Sequence, residues 1–499
     1  MSDQAESRPV LALEHVSFSY ASGRAGAGVR DVSLRVHAGE VVLLCGPSGC
    51  GKTTVTRLAN GLAPAYYEGA LDGSTTVCGR DVSTAPLYET ARSVGSVFQN
   101  PKSQFFSVDV KGELAFGCEN QGMERSEVER RVAAAARAFD LEPFVGRSLF
   151  DLSSGQKQRI ACASATAAGP TLVVLDEPSS NLDFPSIAHV RAAIERWKNE
   201  GRAVLVAEHR LHYLADLADR VHYLRDGAIE HTWTGTEFRA LGTGELAALG
   251  LRALGLDDAF AAQTSRRGEE AGGPQLELDD FSFAYRRGAR GHHALDIAHA
   301  SLPRHAVTAV IGANGAGKST FAAALCGLNR CAGTLSIDGK VLKRRARTES
   351  CFEVMQEVNH QLFAESVLDE VLLSMAAPDE AEAHRLLAAL DLDERADDHP
   401  LALSGGQKQR ACIASALASK RDLIVYDEPT SGLDLHHMLQ VARMIARVRE
   451  QGAAQLVITH DPEFILACCT WVVRLDQGRI VESYPLDHAG VRTLHAFFA

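Results

Sequence analysis

The sequence predicts an α/β fold laid down twice in one chain. Three observations predict it. A short apolar run over 41–45 leads into a glycine-rich turn and then a helix-forming stretch over 54–63. The same order returns over 307–311, with a second glycine-rich turn behind it. Each polar motif of the first half has a counterpart in the second, in the same order. Strand, glycine turn and helix open a parallel βα unit, and repetition of the whole set makes two large domains of the 499 residues. The expected layout is a first domain over 9–262, a linker over 263–274 and a second domain over 275–499. The linker stretch is polar and glycine-rich. Residues 236–260 before it are rich in Leu and Ala and are expected to be helical.

The first glycine turn is Gly46, Pro47, Ser48, Gly49, Cys50, Gly51, Lys52 and Thr53, followed by Thr54. The second is Gly312, Ala313, Asn314, Gly315, Ala316, Gly317, Lys318 and Ser319, followed by Thr320. Both read GxxxxGK[ST], a phosphate-binding loop. Its glycines let successive N–H groups turn inward around phosphate oxygens, and the helix start adds partial positive charge. Lys52 and Lys318 are expected at the β- and γ-phosphates of a nucleotide. The hydroxyls of Thr53 and Ser319 are expected to ligate Mg²⁺.

Each half opens with an expected strand, over 10–20 and 276–285, that ends in an aromatic residue, Tyr20 or Tyr285. A ring 26 or 27 residues ahead of the phosphate loop is a candidate platform for a stacked base. Gln99 and Gln356 close short apolar runs and are candidate Mg²⁺ ligands and γ-phosphate sensors. Residues 126–141 and 378–392 carry apolar residues at helical spacing and are expected to be scaffold. Leu-Ser-Ser-Gly-Gln over 152–156 and Leu-Ser-Gly-Gly-Gln over 403–407 each open an alanine-rich helix. Ser153, Gly155 and Gln156, with Ser404, Gly406 and Gln407, are candidate anion contacts.

Apolar strands then end in Asp176-Glu177-Pro178 and Asp427-Glu428-Pro429. The aspartates suit Mg²⁺ through its water shell. The glutamates suit polarising an attacking water. His209 and His460 each lie 32 residues after their glutamate, and are expected to hydrogen-bond the γ-phosphate and that water. Lys318 follows Lys52 by 266 positions, Gln356 follows Gln99 by 257, and the later motifs repeat at 251. Order is kept while loop lengths differ, as an internal duplication requires.

The formal charge of −12 argues against a nucleic-acid partner held through its phosphates. The polar start over 1–8 does not read as a secretory signal, and no apolar run approaches the roughly 18 residues of a membrane span. Eleven cysteines without a CxxC pair read as buried thiols in a reducing compartment.

These motifs together resemble the ATP-binding cassette (ABC) ATPases, twice in one chain. The resemblance implies P-loop ABC domains, each with a RecA-like core, a β subdomain and a helical subdomain, using ATP and Mg²⁺. It implies an intramolecular cassette pair in which Lys52, Gln99, Glu177 and His209 face residues 404–407, while Lys318, Gln356, Glu428 and His460 face residues 153–156. The finer match resembles the fused ATPases of energy-coupling factor (ECF) transporters. Its carriers are Asn60-Gly61-Leu62, residues 98–101 with Gln104-Phe105-Phe106, residues 113–117 with Glu119-Asn120, residues 179–183, and Glu208-His209-Arg210-Leu211. That resemblance implies work at the cytoplasmic face of the cell membrane. Its partners there would be an integral membrane scaffold (T component) and a substrate-binding membrane protein (S component), importing a vitamin or its precursor. Phe105-Phe106 and Leu362-Phe363 are candidate contacts to such a partner if exposed. A fused sugar-importer ATPase and a ribosome-associated ABC translation factor are the alternatives. Ser154 departs from the family's glycine, so one site is expected to hold the γ-phosphate less well.

Overall fold

The computed structural model describes residues 8–21, 28–180, 182–261, 275–285, 293–449 and 452–498. The linker expected over 263–274 lies outside them. The chain divides into two compact units, Met1–Gly255 and Leu256–Ala499. Each unit contains a four-stranded sheet, a six-stranded sheet and helices, so the duplicated α/β fold is present in both.

In the first unit the four-stranded antiparallel sheet runs Gly28–Val36, Leu11–Tyr20, Gly69–Val77, Arg80–Asp81. The six-stranded sheet runs Ala228–Thr234, Arg220–Arg225, Val41–Cys45, Ala203–Ala207, Leu172–Asp176, Val94–Val97. All its neighbours are parallel except the antiparallel pair at the first edge. Val41–Cys45 and Ala203–Ala207 are buried at every position, as expected for parallel strands covered on both faces. The second unit repeats this. Its six-stranded order is Cys351–Val354, Leu423–Asp427, Ala454–Ile458, Val307–Ile311, Trp471–Asp476, Arg479–Pro485.

One consequence of this order sets up the site. The strand before each histidine is inserted between the phosphate-loop strand and the Asp-Glu strand. Loops at the carboxyl ends of neighbouring parallel strands cluster at one sheet edge, where α/β sheets bind their ligands. Motifs more than 100 residues apart in sequence therefore meet.

Helices Val110–Asn120, Arg125–Ala138 and Ser154–Ala167 pack into the first unit's core through Leu114, Val132 and Ile160. The stretch expected as helix over 236–260 is three short helices, Gly235–Arg239, Thr243–Ala248 and Leu256–Ala261. Gly250, at φ 70°, takes the left-handed backbone that ends the second of them. The last helix belongs to the second unit. Asp257 pairs with His495 at 2.8 Å and Phe260 packs edge-on against the same ring. Among the described residues no helix is long and apolar enough to cross a membrane. Nine of the eleven cysteines are buried; Cys78 is exposed and Cys331 half-buried.

Candidate functional site

Each glycine turn is fixed by its own lysine. Lys52 Nζ donates to the carbonyls of Gly46 and Pro47, both at 2.9 Å. Lys318 Nζ donates to Gly312 at 2.8 Å and Ala313 at 3.1 Å. Gly46 and Gly312 sit at φ 142° and 150°, and a Cβ there would meet the Leu224 or Leu475 carbonyl at 2.1 or 2.3 Å. At the loop tips, a Cβ added to Gly49 or Gly315 would meet nothing within 4 Å. Helices Lys52–Ala59 and Lys318–Leu325 start at the lysines themselves, with Gly51 and Gly317 as left-handed N-caps.

The Asp-Glu strands deliver their carboxylates to the same place. Thr53 Oγ1 donates to Asp176 Oδ1 at 3.1 Å, and in the second domain the Ser319 hydroxyl acts on Asp427, favouring its charged form. Burial, and then the Glu177 charge, push the Asp176 carboxyl up to about 7. Burial also raises Asp427. Glu177 and Glu428 occupy the left-handed backbone region, at φ 46° and 52°. For a non-glycine residue that costs roughly 1–3 kcal/mol and is found where the surroundings over-determine the conformation. Here the glutamate N–H groups are tied to the histidine strand, Glu177 to the Ala207 carbonyl at 2.8 Å and Glu428 to that of Ile458 at 2.9 Å.

The histidines close the group. His209 Nε2 is 3.4 Å from Glu177 Oε1, and His460 Nε2 is 3.7 Å from Glu428 Oε1. Gln99 Nε2 donates to Glu177 Oε2 at 2.7 Å. Burial opposes charge on Glu177, yet His209 and Lys52 hold its carboxyl below the usual range. Each unit thus gathers a lysine-braced loop, a hydroxyl–aspartate pair and a glutamate–histidine pair. Such an arrangement can bind a polyphosphate, hold a hard cation on oxygen donors and orient a water.

The other expected residues fall into two places. Tyr20 is half-buried, with its hydroxyl 3.1 Å from Thr54 Oγ1. Tyr285 is 57% exposed, with its hydroxyl 3.2 Å from Thr320 Oγ1. Ser153 and Ser404 cap their own helices: each hydroxyl accepts from the Gln156 or Gln407 N–H, and those glutamines accept in return at 2.9 Å. A Cβ added to Gly155 would meet Ser186 Oγ at 2.0 Å, and one on Gly406 would meet Leu433 at 3.1 Å. Gly405, the match of Ser154, has nothing within 4 Å of an added Cβ.

A family model described as ABC transporter matches residues 29–180 and again 295–431. A Treponema denticola protein named as an ABC transporter ATP-binding protein is 39% identical over 479 residues, covering 95% of this chain and 96% of its own. One of the same description from Methanosarcina mazei is 31% identical over 533 residues, covering 97% and 90%. The chain belongs to the ABC transporter family. It is a tandem ABC ATPase, with two ATP-binding domains in one polypeptide. Two solved structures share the fold: one described as RNase-L inhibitor (TM-score 0.64, 21% identity, 98% of this chain and 93% of that) and a complex of an archaeal ribosome recycling factor with a stalk protein (TM-score 0.62, 22% identity, 94% and 90%).

Residues not singled out for a role also shape these ABC sites. The turn after each glutamine is held by a matched clamp. Gln104 bonds back to the Phe98 N–H at 3.1 Å and the Ser96 carbonyl at 3.0 Å, and buried Glu113 accepts from the Phe106 and Ser107 N–H groups at 3.0 and 2.9 Å. Gln361 and Glu370 repeat every one of these bonds in the second domain. The signal was in the sequence: both pairs recur at the 257 spacing of Gln99 and Gln356. The clamp exposes Phe106 and Phe363, at 74% and 78%, while Leu362 is buried and Phe105 half-buried against the core. Phe105 and Leu362 therefore drop out as exposed contacts.

Proposed function

We propose that this chain is the ATP-hydrolysing subunit of an importer of the energy-coupling factor kind. The observation that carries the hydrolytic part is the glutamate–histidine pair in both domains, each beside a lysine-braced phosphate loop. Both sites therefore turn over ATP. Open space above Gly49 and Gly315 leaves room for a phosphate chain, and the surrounding N–H groups and lysines supply its counter-charge.

The oxygen donors fit Mg²⁺, a hard cation that favours hydroxyl and carboxylate ligands and keeps several waters. Thr53 with Asp176, joined by Gln99, would hold it in the first domain; Ser319 with Asp427, joined by Gln356, would do so in the second. An ion held by these residues would supply charge neutralisation to the bound phosphates. Glu177 and Glu428 accept a hydrogen bond from the attacking water. His209 and His460 orient that water and hydrogen-bond the γ-phosphate. Tyr20 and Tyr285 stack on the base, and Ser153, Gly155, Gln156, Ser404, Gly406 and Gln407 serve the γ-phosphate.

Transport enters through the clamped turns. Phe106 and Phe363 stand exposed a few residues after Gln99 and Gln356, where γ-phosphate loss is felt. We read them as the contacts through which the ATPase works on a membrane scaffold at the cytoplasmic face, with a separate substrate-binding membrane protein selecting a vitamin-like cargo. Names given to the relatives at 39% and 31% identity favour transport, whereas the ribosome-factor structures share the fold alone. The test is affinity purification of the tagged chain from mildly solubilised membranes with mass spectrometry. Two small polytopic membrane proteins are the expected companions. Ribosomal proteins without any membrane partner would overturn the transport reading.

A further inference from the structure

The two domains differ around their candidate base platforms. Arg57 lies in the last turn of helix Lys52–Ala59, the helix that begins with the phosphate-loop lysine. Its Nη1 donates to the Tyr20 hydroxyl at 3.0 Å, and its guanidinium lies 3.8 Å from the centre of the Tyr67 ring. Tyr67 in turn meets Tyr20 edge to face at 6.3 Å, and Phe18 does the same from its own strand at 4.9 Å. Tyr20 is thereby pinned at its hydroxyl and on two sides of its ring.

Among the described residues of the second domain no such arrangement surrounds Tyr285. Five residues after Lys318 stands Ala323, where Lys52 is followed by Arg57. No aromatic residue lies between its helix Lys318–Leu325 and its next strand, Ala332–Ile337, where the first domain places Tyr66 and Tyr67. Tyr285 keeps an edge contact with Phe283 at 4.9 Å and the bond to Thr320.

We propose that Arg57, backed by Tyr67, is a positioning residue for the Tyr20 ring, and that it makes the first nucleotide site the tighter of the two. This rests on the reading of Tyr20 and Tyr285 as base platforms. A ring already fixed by the fold loses little freedom when a base stacks on it, whereas an exposed ring held by one hydrogen bond and one edge contact has more to lose. Because Arg57 and Lys52 ride on one short helix, base and phosphate subsites are held at a fixed separation in the first domain.

The test measures equilibrium binding of ATP carrying a fluorescent ribose group to the full chain, with one loop silenced at a time. In the Lys318→Ala background the probe reports the first site; in the Lys52→Ala background it reports the second. The first site is expected to bind about tenfold more tightly, within the range that base–aromatic stacking supplies. Arg57→Ala should remove that advantage while leaving competition by inorganic tripolyphosphate, which has no base, unmoved. Arg57→Lys should recover part of it, and Tyr67→Leu should weaken the probe in the same way should Arg57→Ala fold poorly. Equal affinities at the two sites, unchanged affinity in both Arg57→Ala and Tyr67→Leu, or equal loss of probe and tripolyphosphate would overturn the proposal. A Lys52→Ala/Lys318→Ala double variant that binds like the wild type would instead overturn the site reading on which it rests.

Discussion

Gln99 and Glu177 are in direct contact: the glutamine side-chain amide donates to Glu177 Oε2 at 2.7 Å. In the second domain the corresponding oxygen of Glu428 accepts from the Thr459 hydroxyl at 3.2 Å. The first domain has Glu208 at that position. Its buried carboxylate turns away, accepting from the Tyr213 hydroxyl at 2.8 Å and the Ser179 N–H at 3.2 Å. One glutamate is therefore tied to the glutamine that precedes the exposed turn, and the other to the histidine strand. Both remain within reach of a histidine.

Replacing the glutamates separates these roles. Glu177→Gln and Glu428→Gln each keep shape and remove the carboxylate, so each should lower turnover at its own site by at least about 100-fold, the low end of general-base effects. ATPase activity of the assembled complex in single and double variants checks this. Unchanged turnover in either single variant would mean that its site is not hydrolytic.

The clamp behind Phe106 should be a local stability element. Glu113→Ala leaves the part-buried Phe106 and Ser107 N–H groups without their acceptor, at a cost of roughly 1 kcal/mol, the low end of the range for unsatisfied groups. Hydrogen exchange across residues 104–110 should accelerate strongly, while the strands beneath keep their protection. Glu370→Ala should do the same for residues 361–367.

Stability of the first unit should fall in mild acid through His222. Burial, and then the Arg220 charge, hold this ring's pKa down to about 4, below the ordinary 6.5. The unfolded chain takes up the proton first as pH falls, so the stabilisation present above 6.5 is lost between about 6.5 and 4, by up to about 3 kcal/mol. Urea midpoints read by Trp197 and Trp233 in a Trp471→Phe background should drop across that window. His222→Gln should flatten the drop; an unchanged slope would rule the histidine out as its source.

Ser154 should be a mild departure. The matching Gly405 has open space where a Cβ would go, so Ser154→Gly should change the ATPase KM by less than about threefold, a difference under about 1 kcal/mol. Its neighbour differs. Gly155→Ala would push a methyl group against Ser186, whose Cβ lies 3.0 Å away, and overpacking of that kind costs about 1–3 kcal/mol. Steady-state kinetics with thermal unfolding of both variants would separate the two cases.

The fold class, and the residues that the fold gathers at the candidate site, were legible because each rests on local chemistry. A strand, a glycine turn and a helix must be contiguous to make a phosphate loop, and the Gly46 and Gly312 backbones tolerate no side chain. The repeat then told coincidence from design. The clamp partners Glu113 and Glu370 carried the same repeat signal without a role attached, since a glutamate on a helix does not announce which N–H groups it will reach. Residues 236–260, expected to be helical, form three short helices, and the last, Leu256–Ala261, lies in the second unit because His495 and its neighbours, far along the chain, hold it there.

The sequence by itself determined a duplicated α/β chain, through its repeat and its contiguous motifs; its resemblance to the ABC ATPases added the ATPase reading and named the candidate loop lysines, paired carboxylates and histidines. Only the tertiary structure decided what those residues touch. The sheet order places the histidine strand between the loop and carboxylate strands, and the strained glutamate backbones are held by bonds from that neighbour. It also decided that Tyr20 is anchored by Arg57 and Tyr67, whereas Tyr285 stands more exposed. The physical reason is that a side chain's partners are chosen by packing across the fold, over distances in sequence that local pattern does not span.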